Sequence, residues 1–167
     1  MSVVPTQLCI EIKNNTHMKS LFNEAEYKEI RKRVENLRAD NSRQWGKMTI
    51  AQMMAHCSIG FEKAIGKLPF EDKSNFIMRT LVKKIVLNAV KKSDLGKNQN
   101  TFPDYAITGN KDFDSEKKRL LENLDAFYKY GEQNEIGRHP YFGKFSKDNW
   151  GALQYVHTNH HLTQFSA

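Results

Sequence analysis

Cysteine is scarce in this chain of 167 residues: Cys9 and Cys57 lie far apart, outside any CxxC or other paired ligand spacing. That argues against a disulfide framework or a cysteine-built metal cluster and suits a reducing compartment. Long apolar runs are lacking as well, since no stretch approaches the roughly 18 to 20 residues of a membrane-spanning helix. The opening MSVVPTQLCIEIKNN has no charged start followed by a long apolar run and a small-residue cleavage site, so it does not read as a secretory signal. The expectation is a soluble, cytoplasmic protein. Strand alternation is absent except at Leu8 to Ile12, and there is neither an internal repeat nor a low-complexity linker. At this length a single domain buries roughly two thirds of the surface its unfolded chain exposes, so no staple is needed.

Positive charge is in excess. The net charge is +7, with cations gathered in Arg31-Lys32-Arg33, Lys83-Lys84, Lys91-Lys92 and Lys117-Lys118-Arg119. Each cluster falls in a helical pattern, where a solvated outer face is the simplest account. No recognition motif or interleaving of aromatic and basic residues accompanies the charge, which speaks against nucleic acid as a partner.

The periodicity is helical. Asn23 can cap a helix carrying Tyr27, Ile30, Val34 and Leu37 to about Asp40. Thr49 and Gln52 form a capping box, followed by the stripe Ile50, Met53, Met54, Cys57, Phe61 and Ile65. His56 sits on the flank of that stripe, with Gly60 one turn on leaving room beside its ring. A third segment, Lys73 to Lys92, puts Phe76, Ile77, Leu81, Ile85 and Asn88 on one side and lysines on the other. Residues 93–112 read as a long connection of the kind that flanks binding sites. A fourth helix, capped by Asp114 and stopped at Gly131, carries Leu120, Leu121, Leu124, Phe127 and Tyr128. Ser146 opens the last helix, with Trp150, Leu153, His157, His161 and Gln164 on one face. The resulting fold class is all-α. Four long amphipathic helices with crossover-length loops are most economically packed as a four-helix bundle, the third segment being an addition. Residues 1–17 form an extension and 18–167 the domain.

The chemistry concentrates in histidine. At about 100° per residue from His157, Trp150 lies near +20°, Leu153 near −40°, His161 near +40°, Gln164 near −20° and His160 near −60°. The inward sector of the last helix thus turns from apolar to polar. Burying imidazoles and an amide unpartnered costs about 1 to 3 kcal/mol each, so they need a shared reason or an exposed, frayed helix end. Metal coordination supplies one: an imidazole pair at one-turn spacing and a third ring from a packed neighbour give three facial ligands. Spacing alone leaves His160 and His161 both eligible as the partner of His157. Cys57 is turned toward the apolar stripe and reads as a core residue rather than a nucleophile. Trp45 and Trp150 read as core packing, and His17 as exposed. No Asp or Glu stands out as a general base, so the catalytic residues stay unassigned.

Three blocks, Trp45-Gly-Lys-Met-Thr49, His139-Pro-Tyr-Phe-Gly143 and His157-Thr-Asn-His160-His161-Leu-Thr-Gln164-Phe165, resemble the DinB/YfiT-like superfamily, nearest to an uncharacterised branch of it. The resemblance extends from about residue 18 to the end. It implies a four-helix bundle and a divalent metal held by His56, His157 and His161. His160 and Gln164 would stand behind the ligands or in the pocket wall, and His139 in a loop that either covers the pocket or is anchored in the core. The commoner ending of the superfamily is His-Arg-Gly-Gln, where this chain has His161-Leu-Thr-Gln164, which removes any activity needing that Arg and Gly. Three neutral imidazoles leave a coordination position open, the layout of a catalytic site. Zinc or nickel suits such ligands, with iron and manganese also compatible. The resemblance further implies thiol-dependent transfer or hydrolysis on a small molecule, a low-molecular-weight thiol as partner, and a homodimer. The alternative is a non-catalytic stress-response or binding module that uses its basic face for a polyanion.

Overall fold

The structure, a computed structural model, describes residues 18–167. Cys9, His17 and the alternation at Leu8 to Ile12 lie outside the described residues. Five α-helices account for the described part: α1 Glu24–Glu35, α2 Ile50–Ala64, α3 Lys83–Lys91, α4 Phe113–Gln133 and α5 Lys147–Gln164. A π-helical turn, Met78–Val82, leads directly into α3, and a short 3-10 turn, Pro103–Tyr105, interrupts the connection to α4. Among the described residues there is no strand, and no helix is long and apolar enough to cross a membrane.

The caps follow the sequence closely. Asn23 accepts from the amides of Ala25 and Glu26, and Thr49 and Gln52 form the reciprocal capping box. Ser146 accepts from the Asn149 amide at the head of α5. For α4 the cap is Asp112, which accepts from the Ser115 amide, rather than Asp114. Asp114 lies in the first turn instead, where its charge complements the helix dipole.

Three other expectations are corrected. α1 ends at Glu35, short of Asp40, because Leu37 reaches the core from the turn beyond the helix and continues the apolar spacing without continuing the helix. Gly131 does not stop α4, which runs on to Gln133. It is a packing glycine: a Cβ there would fall on the Phe22 ring. The third segment begins at Phe76, and the side carrying Phe76, Ile77, Leu81 and Ile85 faces solvent. Met78, Val82, Val86 and Val90 face inward, because the sequence is apolar on two sides and only one can be buried.

α2 is the central element. Twelve of its 15 residues are buried, so it cannot be a surface helix. It packs most extensively on α4 and also on α5, while α1 covers α4 and α5, and α3 lies against α5. α5 is accordingly enclosed on several sides, which is why Trp150, Gln154, Tyr155, Thr158, His161 and Gln164 are all buried although they do not share one face. Met53, Met54, Phe61, Leu120, Leu124, Phe127, Trp150 and Leu162 form the centre of the core.

Candidate metal centre

His56 comes from the middle of α2, and His157 and His161 from successive turns of α5. The packing of these two helices brings the three rings into a triangle with centroid separations of 4.9, 5.0 and 4.7 Å. One ligand nitrogen from each ring lies within 4.8 Å of the others, and His56 Nε2 stands 3.0 Å from His157 Nε2. Two nitrogens each about 2.0 to 2.1 Å from a common ion are separated by roughly 2.9 to 3.4 Å, so this spacing suits joint ligands.

Second contacts fix the tautomers. His56 Nδ1 donates to the Tyr105 carbonyl at 2.8 Å, which only accepts, so its Nε2 carries the lone pair. Gln164 Nε2 donates to the Trp45 carbonyl at 2.8 Å, which turns its Oε1 toward His161 Nδ1, also at 2.8 Å. His161 therefore donates from Nδ1 and has its Nε2 free. Ligand histidines are commonly held by such partners. Burial lowers the pKa of His56, His157 and His161, the last to about 3, keeping the rings neutral. With the His56 lone pair on Nε2, the 3.0 Å gap to His157 Nε2 is filled either by a proton on His157 or by a cation held between the rings, so the donor set fits a divalent ion.

The lead-in block Trp45 to Thr49 is fastened to the end of α5. Gln44 donates from its amide to the Gln164 carbonyl at 2.8 Å, beside the Gln164 bond to Trp45. Gly46 has φ +80°, and a Cβ there would collide with the Gln164 amide. Trp45 is half-buried rather than a core residue, with the Lys97 ammonium 4.5 Å from its ring centre and His160 edge-on at 5.4 Å. Trp150, in contrast, is in the core and donates from Nε1 to the Gly137 carbonyl.

The block His139 to Gly143 is a closed loop anchored in the core. His139 and Gly143 exchange both backbone hydrogen bonds, and His139 Nδ1 accepts from the amides of Tyr141 and Phe142. Its ring stacks on Phe142 at 4.2 Å, and burial, with Lys63 and Lys83 nearby, pushes its pKa down to about 3. Cys57 is fully buried beside Met53, and burial pushes its thiol pKa up, so it is inert packing.

Two cavities meet at the rings. The larger, about 430 Å³, is bounded by Trp45, Met48, Asn98, Asn100, His160 and His161. The smaller, about 180 Å³, lies toward Phe102, Phe142, Leu153 and Gln154. His56, His157, Leu95, Asn100 and Thr101 belong to both walls, so the connection from Leu95 to Phe102 borders the site on each side. No carboxylate lines either cavity among the described residues. The Tyr105 carbonyl and the Asn98 to Thr101 wall carried no signal in the sequence beyond the length of the loop. Gln154 was legible only as a polar residue three positions before His157.

No curated protein and no solved structure matches the chain. Residues 16–167, which include all the histidines of the centre and both flanking blocks, match a family described as "Protein of unknown function (DUF1569)", and the chain belongs to that family.

Proposed function

We propose that the protein is a metal-dependent enzyme acting on a small molecule, with a divalent ion, zinc or nickel, held by His56, His157 and His161. The observation that carries this reading is the convergence of three neutral imidazoles, two with Nδ1 committed to a fixed acceptor, at the meeting point of two cavities. The packing of α1, α2, α4 and α5 supports the four-helix bundle of the DinB/YfiT-like type, as the sequence blocks do.

A divalent ion bound there supplies Lewis acidity, which lowers the pKa of a water or thiol beside it. The chain's own residues orient the rings and line the site. Tyr105 and Gln164 set the ring planes of His56 and His161, and Leu95 and Phe102 place apolar surface beside the rings. His160, half-buried in the wall of the larger cavity with its pKa lowered by burial, is neutral and can accept a proton. With no carboxylate in either wall among the described residues, proton transfer falls to imidazole. Transfer to or from a low-molecular-weight thiol, or hydrolysis, fits this layout.

Elemental analysis of gently purified protein tests the reading. Close to one divalent ion per chain is expected, lost in His157→Ala and His161→Ala with the helical circular dichroism unchanged. Metal-free protein from unchelated buffer, or variants with undiminished metal content, would overturn it.

A further inference from the structure

We propose that the smaller cavity is a substrate pocket for a compact apolar group, of aromatic-ring size, that carries a carbonyl-type hydrogen-bond acceptor. Its volume of about 180 Å³ compares with the roughly 150 Å³ of an apolar cavity that holds benzene. The wall is built for such a group. Val86, Leu95, Phe102, Phe142, Trp150 and Leu153 supply apolar and aromatic surface from α3, α5, the 95–102 connection and the His139 to Gly143 loop.

Two polar groups in that wall have no partner to match. Gln154 is 4 % exposed, yet its Oε1 is buried without a hydrogen bond, and its amide nitrogen makes none among the described residues. Gly60 leaves the space this amide occupies, since a Cβ there would come within 3.1 Å of Gln154 Nε2. His139 accepts two backbone amides at Nδ1, so the neutral ring carries its proton on Nε2, which donates to nothing among the described residues. Both residues line the cavity, and N–H groups there that donate to no described residue favour a ligand acceptor. Gln154 also precedes His157 by one turn of α5, so a group seated there adjoins the histidine triangle. The polar remainder of the molecule would extend past the rings into the larger cavity, by way of Asn100, which lines both, toward Asn98. The placement of the reacting bond rests on the metal-centre reading, whereas occupancy of the pocket does not.

Acetophenone and its near-isostere cumene, which lacks the carbonyl, are suitable probes. Each is titrated into the full chain, zinc-loaded and metal-free, with binding followed by ligand-observed NMR. Acetophenone should bind both forms, about 3- to 10-fold more tightly than cumene. Leu153→Trp should abolish acetophenone binding with zinc content unchanged, and Gln154→Leu, which leaves the His139 donor, should narrow the preference for acetophenone over cumene. If Leu153→Trp fails to fold, Val86→Phe fills the pocket from α3 and gives the same reading. Absence of acetophenone binding to the wild type, equal affinity for the two probes, or undiminished binding in the filled variant would overturn the proposal. A chain that binds no zinc but shows the expected probe pattern would refute the metal centre and leave the pocket standing.

Discussion

Gln164 is the residue on which the candidate centre turns. One amide orients His161 through Oε1 and holds the Trp45 carbonyl through Nε2, so it ties ligand geometry to the lead-in loop of α2. Gln164→Leu keeps much of the volume and removes both bonds. Metal affinity should fall about 10- to 100-fold, as is usual when such a supporting group is lost, and a zinc competition titration measures it. Unchanged affinity would show that His161 is oriented by packing alone. His139 bears on stability instead. Its folded pKa is depressed to about 3, while an unfolded histidine titrates near 6.5, so below about pH 6.5 the unfolded chain takes up a proton that the folded ring refuses. The stability held above that pH is lost progressively as pH falls toward 3. At pH 5 this amounts to about 2 kcal/mol for the one ring. Urea unfolding of metal-free protein at pH 7 and pH 5 should show the drop, and His139→Gln should reduce it; equal drops in the two proteins would contradict the assignment.

Among the elements, α4 and α5 are bridged by the Phe22 ring, which a glycine on each helix admits. Gly131 and Gly151 stand on either side of the Phe22 ring, and a Cβ on either would strike it. The ring itself stacks on Phe127 at 4.9 Å. Alanine gains about 1 kcal/mol over glycine in helix propensity, but overpacking a filled site costs about 1 to 3 kcal/mol. Gly131→Ala should therefore be neutral at best and destabilising by up to about 2 kcal/mol, read from a chemical denaturation midpoint. A clear stabilisation would mean that Phe22 can move aside freely. The segment from Phe76 to Lys91 teaches the complementary point. Its exposed stripe of Phe76, Ile77, Leu81 and Ile85 matches a buried helix face in residue type, and only packing distinguishes it from the inward Met78, Val82, Val86 and Val90.

For the whole molecule, the excess of positive charge is less free than its total implies. Arg31 pairs with Asp125, Arg119 with Glu62 and Glu116, Lys118 with Glu122, and Lys117 donates to the Leu37 carbonyl. These pairs fasten α1 to α4 and α4 to α2, which weakens the reading of those clusters as a polyanion-binding face. The proposed ion would in turn cross-link α2 to α5. Saturating zinc at about 100 times its dissociation constant should stabilise the chain by about 2.7 kcal/mol. In a domain of this size that raises the melting temperature by roughly 5 to 10 °C. Calorimetry with zinc and then chelator checks the shift, which His157→Ala should abolish. A zinc-independent melting temperature in the wild type would show that no such cross-link forms.

The helical class, the caps at Asn23, Thr49 and Ser146, and the candidacy of His56, His157 and His161 were legible in the sequence, because capping and helical periodicity are local and depend on residues at most four apart. The ends of α1 and α4 were not: Leu37 and Gly131 are determined by what packs on them. Nor was the outward face of the Phe76 to Lys91 segment, since burial is a property of neighbours distant in the chain. The same holds within the site. That histidines belong together could be read from spacing and resemblance, but the triangle itself, the Tyr105 carbonyl behind His56, the Trp45 carbonyl behind Gln164 and the apolar pocket beside Gln154 come from the packing of α2, α5 and the 95–102 connection. A backbone carbonyl has no residue type and a cavity has no sequence, so tertiary structure alone decided them.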